Sequence, residues 1–337
     1  MGRVTASDVA RAAGVSQPTV SRVFNRSTAV DPGTAKRVRA AAQRLGYIPN
    51  LVARTLNSGR SYRIGVILAH LNNNFFAAAL QDLSKALNAQ GYSVTVYFAG
   101  DRPRDVDSIV SDLLADQVDG IVLASTSLSN HLVEQVQRAG IPCVLFNRGQ
   151  PAPGVSVVTT SNLQGGYDAT EFLIRSGHSR IAHLAGLSDA LNGQERRQGF
   201  LDAMADHGLT PLACVDCHFR REIAMEQTRA LMAFETPPDA IFAASDHMAF
   251  GVLEVLRVEL GLSVPGDVSV VGYDDAPMAS WAMFDLTTIR QPMSDMIEAT
   301  VRLLHGPIQE DQRLPQNIVL PAALVVRGST RPPLTKG

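Results

Sequence analysis

Apolar positions along this chain follow two different rhythms, and the change falls near residue 60. Before it, apolar residues recur at helical spacing in short segments. Thr5, three residues before Asp8, forms a capping box, Val9, Ala10 and Ala13 share a face, and Gly14 stops the helix. After Val15, Ser16 is a second N-cap, and Pro18 lies in a first turn where a missing N–H costs nothing. The pattern is therefore helix, tight turn, helix. On the second helix Gln17, Pro18, Ser21, Arg22 and Asn25 fall within an arc of about 140°, opposite Val20 and Val23. Asp31 and Pro32 open a third helix whose Val38, Ala41 and Leu45 make one stripe and which Gly46 ends. Asn50 caps a fourth helix of about two turns with Val52, Ala53 and Leu56 on one face, too short to hold without a packing partner.

Beyond residue 60, short apolar runs alternate with longer amphipathic ones. Runs 64–69, 93–98, 120–124 and 142–146 read as strands, and 75–90, 105–116 and 132–139 as helices between them. After Asn162 the pattern restarts, with strands near 181–184, Val215, 240–244 and 268–273, and Gly91, Gly140, Gly177 and Gly208 fall where helices should end. The β-branched content of the short runs suits parallel sheets covered on both faces. The predicted fold is a small all-α helix-turn-helix headpiece followed by an α/β core of two doubly wound lobes. A length of 337 residues allows two or three domains, and 45% hydrophobic residues exclude a disordered polymer. No apolar run approaches a membrane span and no signal peptide opens the chain, so a cytoplasmic protein is expected.

Charge sharpens the division. The formal total is −2, yet residues 1–60 carry ten Lys or Arg against Asp8 and Asp31, a formal +8, leaving −10 on the remainder. A small basic head on an acidic body is what a polyanion-binding module joined to a soluble regulator or enzyme looks like. Gln17 and Arg22 have the geometry to read adenine and guanine edges, and the other basic residues suit phosphates. The three cysteines make no disulfide framework, and the Cys214-x-x-Cys217 pair beside His218 lacks a second pair, so no metal is expected and both read as strand residues near a domain surface. No dinucleotide, P-loop, zinc-protease or nucleophile-elbow motif occurs, which argues against an enzyme and gives no catalytic residue or cofactor.

Ligands of open parallel sheets bind at the carboxyl ends of strands. Polar residues collect there: Asn72, Asn73 and Asn74, then Ser125, Asn147 with Arg148, Ser245 with Asp246, and Asp274 with Asp275. With Phe75, Phe219 and Trp281 as stacking planes, the set suits a polyhydroxylated ligand. Each taken singly reads equally well as a helix N-cap, Asp246 above all.

The run VARAAGVSQPTVSRV at 9–23, continued by Asn25, Thr34, Val38, Leu45-Gly46-Tyr47 and Pro49-Asn50, closely resembles the headpiece of the lactose repressor (LacI) family of bacterial transcription factors. Asn162 with Gly165-Gly166, SGHSRI at 176–181, RRQGF at 196–200, Ser245-Asp246, VGYDD at 271–275 and LTTIRQP at 286–292 resemble that family's effector-binding core, itself similar to periplasmic sugar-binding proteins. The resemblance implies that Gln17, Pro18 and Arg22 face bases, with Thr5, Ser16, Thr19, Ser21 and Asn25 also on DNA. It implies that Asn50, Ala53 and Leu56 belong to a hinge helix seated in the minor groove, Leu56 as its wedge. It places Asn74, Phe75, Arg148, Arg196, Asp246 and Asp274 in the effector cleft, with Phe219 and Trp281 where aromatics contact ligand; Ser125 joins them from the strand-end reading. Pro18, Ser161 and Ser245 depart from the polar residue, the Asp and the Asn common at those positions. His178 reads as structural, at a helix C-terminus away from the cleft.

The expected organisation is a headpiece at 1–49, hinge and linker at 50–60, one lobe at 61–161 plus 291–319, and the other at 162–290 plus 320–330. The expected function is a homodimeric DNA-binding regulator, a repressor, whose operator affinity is controlled by a sugar or sugar acid, with double-stranded operator DNA as partner and no membrane.

Overall fold

The computed structural model describes residues 4–24, 30–48, 60–69, 71–99, 103–124, 130–148, 154–305 and 315–334. The expectations on Asn25, Asn50, Ala53, Leu56 and Ser125 lie outside these described residues. The chain forms two compact units, Met1–Tyr62 and Arg63–Gly337.

The first unit is built on α1 (Ala6–Ala13), α2 (Gln17–Phe24) and α3 (Pro32–Leu45). The capping box is present in both directions: Asp8 N–H donates to Thr5 Oγ1 at 3.3 Å, and Thr5 N–H to Asp8 Oδ2 at 3.0 Å. The left-handed Gly14 and Gly46, each at φ 65°, close α1 and α3, and Asp31 caps α3 by accepting from Thr34 N–H at 2.9 Å. Val9, Val20 and Val38 meet at the centre with Ala10, Val23, Ala41 and Ala42 around them. Leu45, expected on the buried stripe, is 36% exposed instead. Its helix has 14 residues against 8 in each partner, so its last turn overhangs them and Ala42 takes the buried place.

The second unit holds two six-stranded sheets. The first has the order β11-β5-β4-β3-β1-β2, from β1 (Arg63–Leu68), β2 (Ser93–Phe98), β3 (Gly120–Ala124), β4 (Cys143–Phe146), β5 (Ser156–Thr160) and β11 (Asn317–Leu320). The second has the order β12-β10-β9-β8-β6-β7, from β6 (Ile181–Ala185), β7 (Ala213–Asp216), β8 (Ala240–Ala243), β9 (Ser269–Asp274), β10 (Thr287–Arg290) and β12 (Ala323–Val325). All pairings are parallel except β10 with β12. Helices α4 (Asn74–Ala89), α5 (Pro103–Ala115) and α6 (Asn130–Ala139) connect strands of the first lobe. Helix α7 (Asn162–Arg175) leads from β5 into the second lobe, where α8 (Leu191–Asp206), α9 (Arg221–Met232) and α10 (Asp246–Glu254) connect strands, and α11 (Met293–His305) returns to pack on α4, β4 and β5.

The chain thus passes between sheets three times, after Thr160, after Arg290 and after Leu320. Every residue of β3, β4, β6, β8 and β9 is buried, as two-sided coverage requires. The short β11 and β12 at the sheet edges are half exposed, and Pro321 divides the apolar run 318–326 that they share, which is not among the strands expected from sequence.

His178 follows α7, is buried, and lies 3.5 Å from Asp239, whose carboxylate also accepts from the Ser179 and Arg180 amides. The three cysteines are free, and Cys217 is fully buried rather than near a surface because it turns inward after β7. Burial pushes the Cys143 and Cys217 thiols up to about 12. Among the described residues no helix is long and apolar enough to cross a membrane, and no group of three His, Cys, Asp or Glu is placed to hold a metal.

Candidate functional site

At the carboxyl ends of the strands a cavity of about 310 Å³ opens between the lobes. The first lobe contributes Asn72, Asn73, Phe76, Asn147 and Arg148; the second contributes Leu187, Ala190, Asn192, Arg196, His218, Phe219, Ser245, His247 and Asp274, with Arg220 and Glu222 beside them.

Arg196 reaches the floor because α7 and α8 touch backbone to backbone. A side chain at Gly166 would land on the Arg196 carbonyl, and one at Gly199 on the Leu163 carbonyl, so only glycine allows that approach. The guanidinium is 1% exposed. Its Nε donates to Asn162 Oδ1 at 2.9 Å, its Nη1 donates to the Ala244 carbonyl at 2.6 Å and lies 3.6 Å from Asp274 Oδ1, and the Tyr273 ring stacks beneath it at 3.5 Å. Its Nη2 is buried and has no partner.

Asp274 accepts from Gln291 Nε2 at 2.7 Å. Burial pushes its carboxyl up to about 6, with the Arg196 cation pulling the other way. Asp246 lies fully buried behind it, accepting from Thr288 Oγ1 at 2.6 Å and Ala276 N–H at 2.7 Å; burial first, and the Asp274 charge second, hold its carboxyl well above the usual range. In the opposite lobe Arg148 sits with Nη2 4.0 Å from Asp189; burial lowers its pKa and that carboxylate opposes the shift.

Four residues of the cavity wall carry left-handed backbones without being glycine: Asn147 (φ 56°), His218 (φ 53°), Phe219 (φ 56°) and Asp274 (φ 124°). Each such residue stores on the order of 1–3 kcal/mol, and strain of this kind gathers where a site needs particular side-chain directions. Here the turn at 218–219 lays the Phe219 ring over Gly186, whose missing Cβ makes the room, and 5.9 Å from the Arg196 guanidinium. Asn192 Nδ2 donates to the Asn147 carbonyl at 3.2 Å across the lobes, while Asn147 Oδ1 stays buried and unpartnered.

Of the cleft residues expected from sequence, Arg148, Arg196, Phe219 and Asp274 come together on this wall, with Asn72, Asn73, Asn147 and Ser245 of the strand-end set. Asn74, Phe75, Asp246 and Trp281 do not. Asn74 opens α4 with its amide against the Met278 sulfur, and Asn73, which caps Phe75 N–H at 3.0 Å, lines the cavity in its place. Phe75 is buried in the core, and the next residue, Phe76, one helical step round, faces the cleft and meets it edge-on at 5.3 Å. Asp246 is sealed behind Asp274 because it ties α10 to β10 and the 274–276 turn. Trp281 is 51% exposed after the 3₁₀ turn Pro277–Ser280 and lies outside the lining. The lining residues without a prior signal include Phe76, Leu187, Ala190, Asn192, Arg220, Glu222 and His247; Asn192, four residues before Arg196, could have been found from helical spacing.

In the first unit Gln17, Pro18 and Arg22 are exposed, Thr19 and Ser21 half-buried, and Val20 and Val23 buried, so α2 displays its polar arc. The Ser16 and Thr19 hydroxyls meet at 2.9 Å, and Thr5 Oγ1 donates to Asp8 at 2.7 Å, holding that carboxyl below the usual range.

Residues 5–50 match the lacI family of bacterial regulatory proteins, and residues 170–330 match the periplasmic binding protein-like domain. Over 97% of its length the chain is 36% identical to the HTH-type transcriptional regulator CelR of Thermobifida fusca, covering 98% of that relative. It is 32% identical, over 97% of this chain and 99% of the relative, to catabolite control protein A of Priestia megaterium. Among solved structures it is similar to a CelR–cellobiose complex, with 34% identity, a TM-score of 0.71 and 97% and 100% of the two chains covered. It is also similar to the Lac repressor dimer bound to operator and the anti-inducer ONPF, with 30% identity, a TM-score of 0.78 and 98% and 99% covered.

Proposed function

The chain belongs to the lacI family of bacterial regulatory proteins and is a DNA-binding transcriptional regulator, and from that premise we propose that a sugar or sugar acid in the cleft between its lobes sets its operator affinity. The observation that supports this reading is the pair of unpartnered buried groups on the cleft wall, the Arg196 Nη2 donor from one lobe and the Asn147 Oδ1 acceptor from the other. A buried polar group left unpaired is costly, and vicinal hydroxyls both accept and donate. One such ligand answers both groups and joins the lobes. Asp274 and Arg148 accept from and donate to its remaining oxygens, and the Phe219 ring covers its apolar face.

Occupancy then favours one lobe arrangement over another, and operator affinity shifts by the difference in ligand affinity between the two. Gln17, Pro18 and Arg22 read base edges from α2, while Thr5, Ser16, Thr19 and Ser21 position the unit on the backbone. The Lac repressor relative is a dimer on its operator, and this chain works as a homodimer with one headpiece per half-site. Asn25, and Asn50, Ala53 and Leu56 of the hinge, complete the DNA surface by the family resemblance. No catalytic residue or cofactor enters this reading.

The test is a thermal-shift and calorimetric series with cellobiose, lactose, ribose and glucuronate on the full-length protein. An effector raises the melting midpoint with the logarithm of its concentration. Asp274→Ala should abolish that response and leave operator affinity without effector unchanged. A sugar that binds Asp274→Ala as tightly as the parent would remove Asp274, and with it this cleft, from the effector site.

A further inference from the structure

A second cavity, of about 460 Å³, lies on the other side of the first turns of α8. Leu191 and Glu195, one turn apart, line it, while their neighbours Asn192 and Arg196 line the cleft. No residue lines both. Its walls come from both lobes: Val157 of β5 and Val319 of β11 from the first, Leu163 of α7 and Leu191 from the second. Leu163 and Val319 are 43% and 53% exposed, so apolar surface is left facing the open space.

Within that lining Glu195 is the one ionisable residue, amid aliphatic, amide and hydroxyl side chains. It is half-buried, and burial lifts its carboxyl above the ordinary value, with a hydrogen bond from Asn162 opposing the shift. Among the described residues the cavity wall offers it no Lys, Arg or His. Arg196, the next residue, directs its donors to Asn162 and Ala244 and its charge towards Asp274 on the cleft side. The Arg196 charge also draws the carboxyl down, yet that cation is engaged on the cleft side, so a half-buried carboxylate beside aliphatic surface gains from a cation that a ligand brings.

We propose that this cavity is a second small-molecule site, for an organic ammonium whose charge pairs with Glu195 and whose apolar body lies against Val157, Leu163 and Val319. The class follows from the wall: among its described residues Glu195 is the charge a ligand meets, and Val157, Leu163, Leu191 and Val319 offer apolar surface beside it. Occupancy is linked to the cleft by Asn162, which is held by Glu195 on one side and by Arg196 Nε on the other. Asn162 Nδ2 also donates to Thr159 Oγ1 and the Thr160 carbonyl, so an ammonium that draws Glu195 to itself removes one hold among several on Asn162, and by reciprocity a ligand on Arg196 alters ammonium affinity. The proposal stands independently of what the cleft binds.

Tryptamine and tryptophol share an indole ring and a two-carbon chain and differ in ammonium against hydroxyl. Both should be titrated into the full-length protein, without DNA or sugar, by calorimetry and methyl NMR. Tryptamine should bind at least about tenfold tighter than tryptophol, as a charge-assisted hydrogen bond implies. Methyl signals of Val157, Leu163, Leu191 and Val319 should move, and Glu195→Gln should erase the preference at an unchanged melting midpoint. Should Glu195→Gln lower the midpoint, Val319→Trp, a rim substitution that fills the cavity at an exposed edge position, should block tryptamine instead. Equal affinity for the two probes would overturn the assignment, as would a preference that survives Glu195→Gln or tryptamine binding undiminished by Val319→Trp. So would shifts confined to Leu187 and Ala190 of the cleft, or no tryptamine binding at about 10 mM.

Discussion

At the scale of single residues, the cleft is governed by carboxylates and a guanidinium that water does not reach. Asp274 titrates near 3.8 when unfolded and is pushed up to about 6 by burial. Between those values the native state holds the proton more tightly than the unfolded chain, so this group's contribution to stability falls as pH rises from about 4 to about 6. Asp274→Asn cannot titrate and relieves Asp246 of a neighbouring charge. Parent-minus-variant stability, from urea unfolding at pH steps across that window, should therefore decline with rising pH and level off above it; a flat difference would mean that the carboxyl is not raised. On the DNA side, Arg22→Ala should weaken the cognate operator by roughly 1–3 kcal/mol and nonspecific DNA far less, by competition titration. An equal loss on both would make Arg22 a phosphate contact. Arg196, inside α8, rests on the family resemblance alone, whereas Arg148 and Asp274 could be picked out from residue type and strand-end position and Phe219 as an aromatic plane. Phe75 against Phe76, and Asn74 against Asn73, could not, because which of two adjacent residues faces the cleft depends on the roll of α4 against its sheet. The four left-handed wall residues were equally illegible: nothing local marks Asn147 or His218, and the surrounding fold imposes the strain.

Among the elements, the crossing of α7 and α8 does most to place the site, and it depends on glycine. The sequence shows Gly166 and Gly199 plainly but not that they face each other's helices. Gly199→Ala sets a methyl on the Leu163 carbonyl and close to the Tyr167 amide, both backbone atoms that cannot turn aside. The helices must separate, which should destabilise the protein by about 1–3 kcal/mol or more and carry Arg196 away from Asn162. Urea unfolding measures the first effect and effector calorimetry the second; parent-like stability would show that the helices lie further apart. The buried strands β3, β4, β6, β8 and β9 were readable to within a residue or so, since two-sided burial writes itself as a continuous apolar run, but β5 and β10, also largely buried, carry threonines and were missed. Edge strands β11 and β12 lie in the apolar run 318–326 yet went unassigned, because each is only three or four residues long with Pro321 between them, although β11 completes the first sheet and carries the rim of the second cavity. The capping box and glycine stops of the headpiece were legible for a different reason: they are local hydrogen-bond rules that need no tertiary partner.

At the scale of the whole molecule, charge and structure divide at nearly the same place. The formal +8 of residues 1–60 belongs to the compact unit Met1–Tyr62, and the −10 of the remainder to the unit that holds the cleft. Salt should therefore act on the two binding events separately. Each phosphate neutralised by the headpiece contributes a power of about −0.9 in salt concentration, so several contacts per headpiece in a dimer make operator affinity fall on the order of a thousandfold between 50 and 200 mM salt. The cleft meets its ligand through buried groups at short range, where screening is weak, and a neutral sugar such as cellobiose should change affinity by less than about threefold over the same range. The factor by which that sugar alters operator affinity at fixed salt must equal the factor by which operator DNA alters sugar affinity, because both close one thermodynamic cycle. Fluorescence anisotropy on labelled operator and calorimetry on the DNA-free protein, run over the same salt series, supply both slopes. Parallel slopes would mean that the basic head takes part in effector binding, and the assignment of one task to each unit would fall.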